Sequence, residues 1–282
     1  MLSARFGSVF LKFLLRDDDT CAMTRPEDLE VCYQSIWDQV PICLSVTPFR
    51  IPGRATGVPE NLIGSKDVLP LAECAALLGF LREQVSRGRF DLALHGYHHN
   101  RVTGLPEFVG ATDLNRKAVE GRAELERLFG RRIETFVPPN NTLSADGFDA
   151  VILAGMNVVN NQTRARLQTG WGRLKSAAET VVAARYALTG RFGAPLAFRI
   201  RHFPKYQQAP YFTVGPDSDL ENLEAQMQAC RSNGDVFVLA THYHAFGRRM
   251  RSGQTIGDGV MYLVERAASW PDVQFVDYEG LW

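Results

Sequence analysis

The chain has 282 residues, 45% of them hydrophobic and 22% charged, enough for a globular fold with a sizeable core. Lys plus Arg and Asp plus Glu both number 31, so the formal net charge is zero and gives no electrostatic push toward nucleic acid or an anionic membrane surface. Five cysteines, an odd number with no C-x-x-C, argue against a disulfide framework or a structural zinc cluster and suit a reducing cytoplasm.

Apolar runs that read as strands alternate with amphipathic stretches that read as helices. The first, "VFLKFLLR" (9–16), is too short for a membrane span, is interrupted by Lys12 and has no cleavage-site pattern after it, so it reads as a strand rather than a signal peptide. Further strands are expected at 41–48, 90–96, 134–139, 157–161, 196–203, 235–243 and 273–278. Helical spacing covers 26–39, 69–87, 113–129, 144–154, 219–233 and 258–269. The first helix carries Pro26 in its opening turn, and the third ends on Gly130. This order predicts an α/β fold in one domain over 1–282: a single (β/α) barrel of about seven to eight strands, with an irregular insertion around 162–195. The basic stretch "GRRMRSG" (247–253) reads as a solvated loop.

In a parallel α/β fold the chemistry gathers where strands end. Asp17, Asp18 and Asp19 follow the first strand, "HGYHHN" the third, "PPNNT" (138–142) the fourth and "THYH" the seventh. Five of the six histidines (His95, His98, His99, His242 and His244) therefore stand at strand ends. Histidine with carboxylate is the usual ligand set for a borderline metal such as zinc. His95 and His99 share one face if a helix starts at the strand end, and His95 with His98 is the alternative pair on spacing alone. Two imidazoles and one carboxylate leave open positions, at which a metal acidifies water and polarises a carbonyl. A further carboxylate and a further imidazole supply base and acid.

These segments resemble the polysaccharide deacetylase family (carbohydrate esterase family 4), in a divergent, deacetylase-like branch. "RDDD" stands where the family has a strand ending in paired Asp. "HGYHH" matches H-[ST]-x-x-H with Gly96 in place of Ser or Thr, "VLATHYH" matches a late histidine motif, and "LPEFVG" and "FVPPNNTLS" extend the likeness. The resemblance implies a distorted (β/α) barrel and a divalent metal, most often zinc. It implies a hydrolase that removes acetyl groups, mostly from N-acetylated sugars. By the same likeness Asp18 is the catalytic base, Asp19, His95 and His99 are the metal ligands, and His242 is the acid. The family's arginine before its prolines is replaced by Val137, and Arg16 is the candidate for the missing charge.

Arg16, Pro139, Asn140 and His244 are the candidate substrate contacts. Asn140 and Asn141 either line the pocket or make the turn after Pro139, and Trp171 is a candidate pocket wall, with plain core as the alternative. Arg199, Arg201, His202 and Lys205 offer either an anion site or a polar rim. The expected partner is a small-molecule or glycan substrate bearing an acetyl group, a precursor in surface polysaccharide assembly, with no nucleic acid and no integral membrane segment. One alternative is a glycosyltransferase holding manganese through a D-x-D pair, Asp17 and Asp19. Another is a barrel that binds metal or sugar without turnover.

Overall fold

A computed structural model describes residues 10–54, 57–161 and 199–282. The insertion expected around 162–195, together with Trp171, lies outside the described residues. The main elements are β1 (Leu11–Thr20), α1 (Pro26–Tyr33), β2 (Ile42–Val46), α2 (Ala75–Ser86), β3 (Phe90–Leu94), α3 (Leu114–Phe129), β4 (Thr135–Phe136), α4 (Ala145–Leu153), β5 (Asn157–Val159), β6 (Gln207–Ala209), β7 (Phe212–Thr213), α5 (Leu220–Asn233), β8 (Val236–Thr241), α6 (Ile256–Ala268), β9 (Val273–Phe275) and α7 (Tyr278–Leu281).

Their ends follow local chemistry. Pro26 sits in the first turn of α1 with Glu27 and Asp28 beside it. Asp219 accepts from the N–H groups of Glu221 and Asn222 at the start of α5, and Thr255 and Asp258 form a capping box on α6. Helices α3 and α5 stop on Gly130 and Gly234, both left-handed.

The strands form one curled sheet in the order β6-β5-β4-β3-β2-β1-β8-β7, with these neighbours all parallel, β9 also pairing β1, and a two-residue strand, Arg201–His202, added antiparallel at the edge of β6. Residues 207–213 join its two ends, because β6 pairs with β5 while β7, three residues on, pairs with β8. The predicted (β/α) barrel is therefore the fold observed.

Alternation along the strands sorts two cores. Leu11, Phe13 and Leu15 face outward into a large cluster with the helices, whereas Leu14, Cys43, Ala93, Val137, Val159, Ala209 and Val238 line the inside. Cys43 and Ala240 stand in register beside Arg16. Small neighbours leave room for a guanidinium inside the barrel.

The structure corrects several expected bounds. Strand β1 runs on through the aspartates to Thr20 instead of ending at Arg16. Helix α1 ends at Tyr33 rather than 39, and the first part of the 69–87 segment is a short strand and a 3₁₀ turn. Strands β6 and β7 escape a periodicity reading because each is very short and Pro210 separates them. No helix among the described residues is long and apolar enough to cross a membrane.

Candidate metal centre

Strand β1 delivers the acidic side of the site. Its inward positions read Lys12, Leu14, Arg16, Asp18, and its outward ones Leu11, Phe13, Leu15, Asp17. Asp17 is buried on the helix side, where the Tyr33 hydroxyl donates to its Oδ2. Burial raises the Asp17 carboxyl well above the usual range, more than the Tyr33 hydrogen bond lowers it.

Plain alternation would send Asp19 the same way as Asp17. Instead the β1–β2 register shifts between Asp17 and Thr20, and Asp19 takes a left-handed φ of 77°. This irregularity turns two consecutive carboxylates, Asp18 and Asp19, into one cavity. It also separates Asp17 from Asp19, so a D-x-D pair gripping one ion finds no support here.

The imidazoles arrive from β3 and β8. His95 continues the inward series Asp91, Ala93. Its Nδ1 lies 2.9 Å from the Val137 carbonyl, which can only accept, so Nδ1 is the donor and in the neutral ring Nε2 is the atom with a free lone pair. That lone pair faces Asp19 Oδ1 at 3.5 Å, and His99 Nε2 lies 3.0 Å from the same oxygen.

No helix starts at the strand end over 95–99, so helical spacing is not what pairs His95 with His99. Gly96 has φ +71° and His99 φ +51°, and this left-handed loop brings the two rings to 4.8 Å between centroids. A Cβ at position 96 would stand 2.3 Å from Pro139 Cγ, so the backbone requires glycine where the resembled family more often carries Ser or Thr. His98 turns away, with Nδ1 2.7 Å from the Phe49 carbonyl.

His242 and His244 flank Asp19 from the far side, with Nε2 atoms 3.9 and 3.2 Å from its Oδ2. His244 lies flat against Gly57, where a Cβ would come within 2.7 Å of the ring.

The cavity measures about 330 Å³. Asp18, Asp19, His95, His99, His242 and His244 line it together with Asn140 and Asn141, the 213–216 segment and Arg248. Arg16 and Pro139 are not among its lining residues. Pro139 packs behind Gly96, and Arg16 is fully buried beneath Asp18, with Nη2 2.6 Å from Asp18 Oδ2 and 2.9 Å from Asn141 Oδ1. Its guanidinium also lies over the Tyr211 ring at 4.4 Å. Arg199 is occupied by Asp235 at 2.8 Å, and neither it nor Arg201, His202 or Lys205 lines the cavity. The pocket-lining reading of Asn141 is the one the cavity bears out, whereas Tyr211 escapes a reading by motif because its partner Arg16 is distant in the chain. Arg248 was marked only by the basic run around it.

The electrostatics favour a cation. Burial opposes the charge on Asp18, but Arg16, then His95 and His242, outweigh it and hold the carboxyl below its ordinary range. Burial likewise opposes Asp19, yet the facing imidazoles hold it well below. Burial pushes His99 and His242 down toward the neutral form despite the nearby aspartates. The ionised Asp19 carboxylate thus faces a His99 imidazole that burial biases toward the neutral, metal-binding form. Asp19 Oδ1 is buried and without a hydrogen-bond partner among the described residues. Ligand atoms of Asp19, His95 and His99 all lie within 4.8 Å of one another. Two imidazole nitrogens and one carboxylate oxygen suit a borderline divalent cation with open positions, so the residues present fit a metal.

No protein-family model and no curated protein matches the chain. Two solved structures share its architecture across nearly its whole length. A candidate polysaccharide deacetylase from Mycobacterium smegmatis aligns over 99% of this chain and 91% of its own, at 11% identity and a TM-score of 0.53. The fold is that of the polysaccharide deacetylases. The Puue allantoinase shares it too, over 96% of this chain and 88% of its own, at 12% identity and a TM-score of 0.55. A polysaccharide-deacetylase barrel thus occurs with more than one named activity, and the reaction has to be argued from the site.

Proposed function

We propose that the protein is a metal-dependent hydrolase that removes an acetyl group from an N-acetylated sugar. The observation that carries this reading is the placement of Asp18, backed by Arg16, beside the Asp19–His95–His99 cluster in one cavity, with His242 also on its wall. In this reading Asp19, His95 and His99 hold the ion, most simply zinc. When bound, such an ion acidifies water and polarises the acyl carbonyl.

The chain's own residues account for the proton transfers. Asp18 Oδ2 is taken by Arg16, while Oδ1 is buried and without a partner among the described residues, so Oδ1 is the basic atom that receives the proton of the attacking water. Arg16 supplies from within β1 the charge that the resembled family carries before its prolines, where this chain has Val137. His242 delivers a proton to the departing nitrogen. Water adds across the amide, the acyl carbon keeps its oxygen, and acetate and a free amine result. Asn140 and His244 contact the sugar.

We place the enzyme in the cytoplasm, acting on a precursor for surface polysaccharide. The free state of all five cysteines supports a reducing compartment. The test is acetate release from N-acetylated and O-acetylated sugars, with a cyclic amide included in the panel. Exhaustive chelation is expected to abolish release and zinc to restore it. Turnover that persists after chelation contradicts the mechanism. Tight metal binding with no turnover on any acetylated sugar favours a binding barrel, and turnover of the cyclic amide alone favours a different hydrolysis.

A further inference from the structure

The loop carrying His95 and His99 is held from below by a buried carboxylate. Glu107 opens the short helical turn Glu107–Gly110 and is fully buried. Its Oε2 accepts from the backbone N–H groups of Tyr97 at 2.9 Å and His99 at 3.0 Å, and its Oε1 from that of His98 at 3.0 Å. Lys117 Nζ, from α3, lies 2.8 Å from Oε1 and is itself buried. The Lys117 charge and these N–H bonds hold the Glu107 carboxyl below its ordinary range although burial opposes it.

The loop carbonyls are fixed as well. Thr47 Oγ1 donates to the His95 carbonyl at 2.8 Å and Arg50 Nη1 to the His99 carbonyl at 2.9 Å. Three successive N–H groups converging on one anion form a concave nest, an arrangement of low stability without the anion. It explains how His99 is kept at a positive φ, a conformation that the loop would leave without these bonds.

Building on the metal site proposed above, we propose that Glu107, charge-balanced by Lys117, is a positioning residue that presets the His95–His99 spacing before the cation arrives. A glutamine cannot replace it. Its amide presents donors where the loop or Lys117 also presents donors, so at least one buried donor is left facing another.

The test uses the whole chain and cobalt as the probe. In the metal-free wild type, the amides of Tyr97, His98 and His99 should exchange slowly with solvent. Exchange at the rate of an open loop until cobalt is added overturns the proposal. Glu107→Gln should bind cobalt about 10–100-fold more weakly, as loss of a partner to metal ligands does elsewhere, with an altered visible absorption band of the bound ion. Both readouts are taken below the thermal midpoint of the variant, where a merely structural role would leave them unmoved. A folded Glu107→Gln protein with wild-type cobalt affinity and spectrum overturns the role of Glu107 alone, whereas a wild type that takes no cobalt overturns the metal site and this role together. If Glu107→Gln does not fold, the exchange measurement on the wild type decides.

Discussion

The two ends of the barrel carry cavities of similar size, about 330 Å³ at the C-terminal ends of the strands and about 290 Å³ at the other end. Each contains a buried aspartate paired with an arginine, Asp18 with Arg16 at 2.6 Å and Asp91 with Arg131 at 2.8 Å. They differ in what is left over. Asp91 spends Oδ1 on Arg131 and Oδ2 on the Tyr278 N–H at 2.8 Å. Asp18 and Asp19 each keep a buried Oδ1 with no hydrogen-bond partner among the described residues, that of Asp19 facing the ring nitrogens of His95 and His99.

The charge balance differs accordingly. Burial raises the Asp91 carboxyl more than Arg131 lowers it, whereas Arg16 and the imidazoles of His95 and His242 lower the Asp18 carboxyl despite burial. Cavity volume does not distinguish a site from a structural pocket here. Unspent acceptors backed by positive charge do.

Substitutions can break this comparison, and the largest effect is expected at Asp19. Asp19→Asn should weaken cation binding by more than about 100-fold, since even outer partners of metal ligands are worth about 10–100-fold, and should abolish turnover. Calorimetric titration with zinc checks it, and wild-type affinity would remove Asp19 from the site.

Asp18→Asn should leave cation binding in place and lower kcat by about 10²–10⁴, the usual contribution of a positioned general base. A rate within a few-fold of wild type would assign the base elsewhere.

Arg16→Met removes one partner of a buried pair and should cost about 3–5 kcal/mol in chemical denaturation. With Arg16 gone the Asp18 carboxyl rises, so the acid limb of the pH–rate profile moves to higher pH. The stability sign is fixed by the same shift. A depressed carboxyl stabilises the fold above its unfolded value and loses that contribution as pH falls through the folded value, so the variant's stability should fall less than that of the wild type on acidification. An unmoved acid limb would uncouple Arg16 from Asp18.

At the opposite end, Asp91→Asn keeps an acceptor for the Tyr278 N–H but turns an amide donor toward Arg131, so it should cost about 1–3 kcal/mol of stability, with turnover unaltered. A large loss of activity there would erase the distinction between the two ends.

Much of this was legible in the sequence. The alternation of apolar runs with helical spacing announced the barrel, and the positions of Asp19, His95 and His99 at strand ends announced a cluster. The way they meet was not legible. A helix after β3 would need ordinary backbone at Gly96 and His99, yet both are left-handed. Strict alternation would part Asp18 from Asp19, and only the register shift in β1 brings them together. Arg16 was recognisable as a nearby charge, but its burial inside the barrel depends on small residues contributed by β2 and β8. Glu107 sits in a stretch marked only by its likeness to a divergent branch, and its bonds to three amides depend on a backbone shape that no periodicity encodes.

The most direct test of the metal centre is anomalous diffraction at the zinc edge from crystals of the wild-type protein grown with zinc. The account predicts one strong peak bounded by Asp19 Oδ1, His95 Nε2 and His99 Nε2, with Asp18 Oδ1 beside it and not spent on another protein group. A fully occupied peak elsewhere, or no peak in the cavity at saturating zinc, would contradict it.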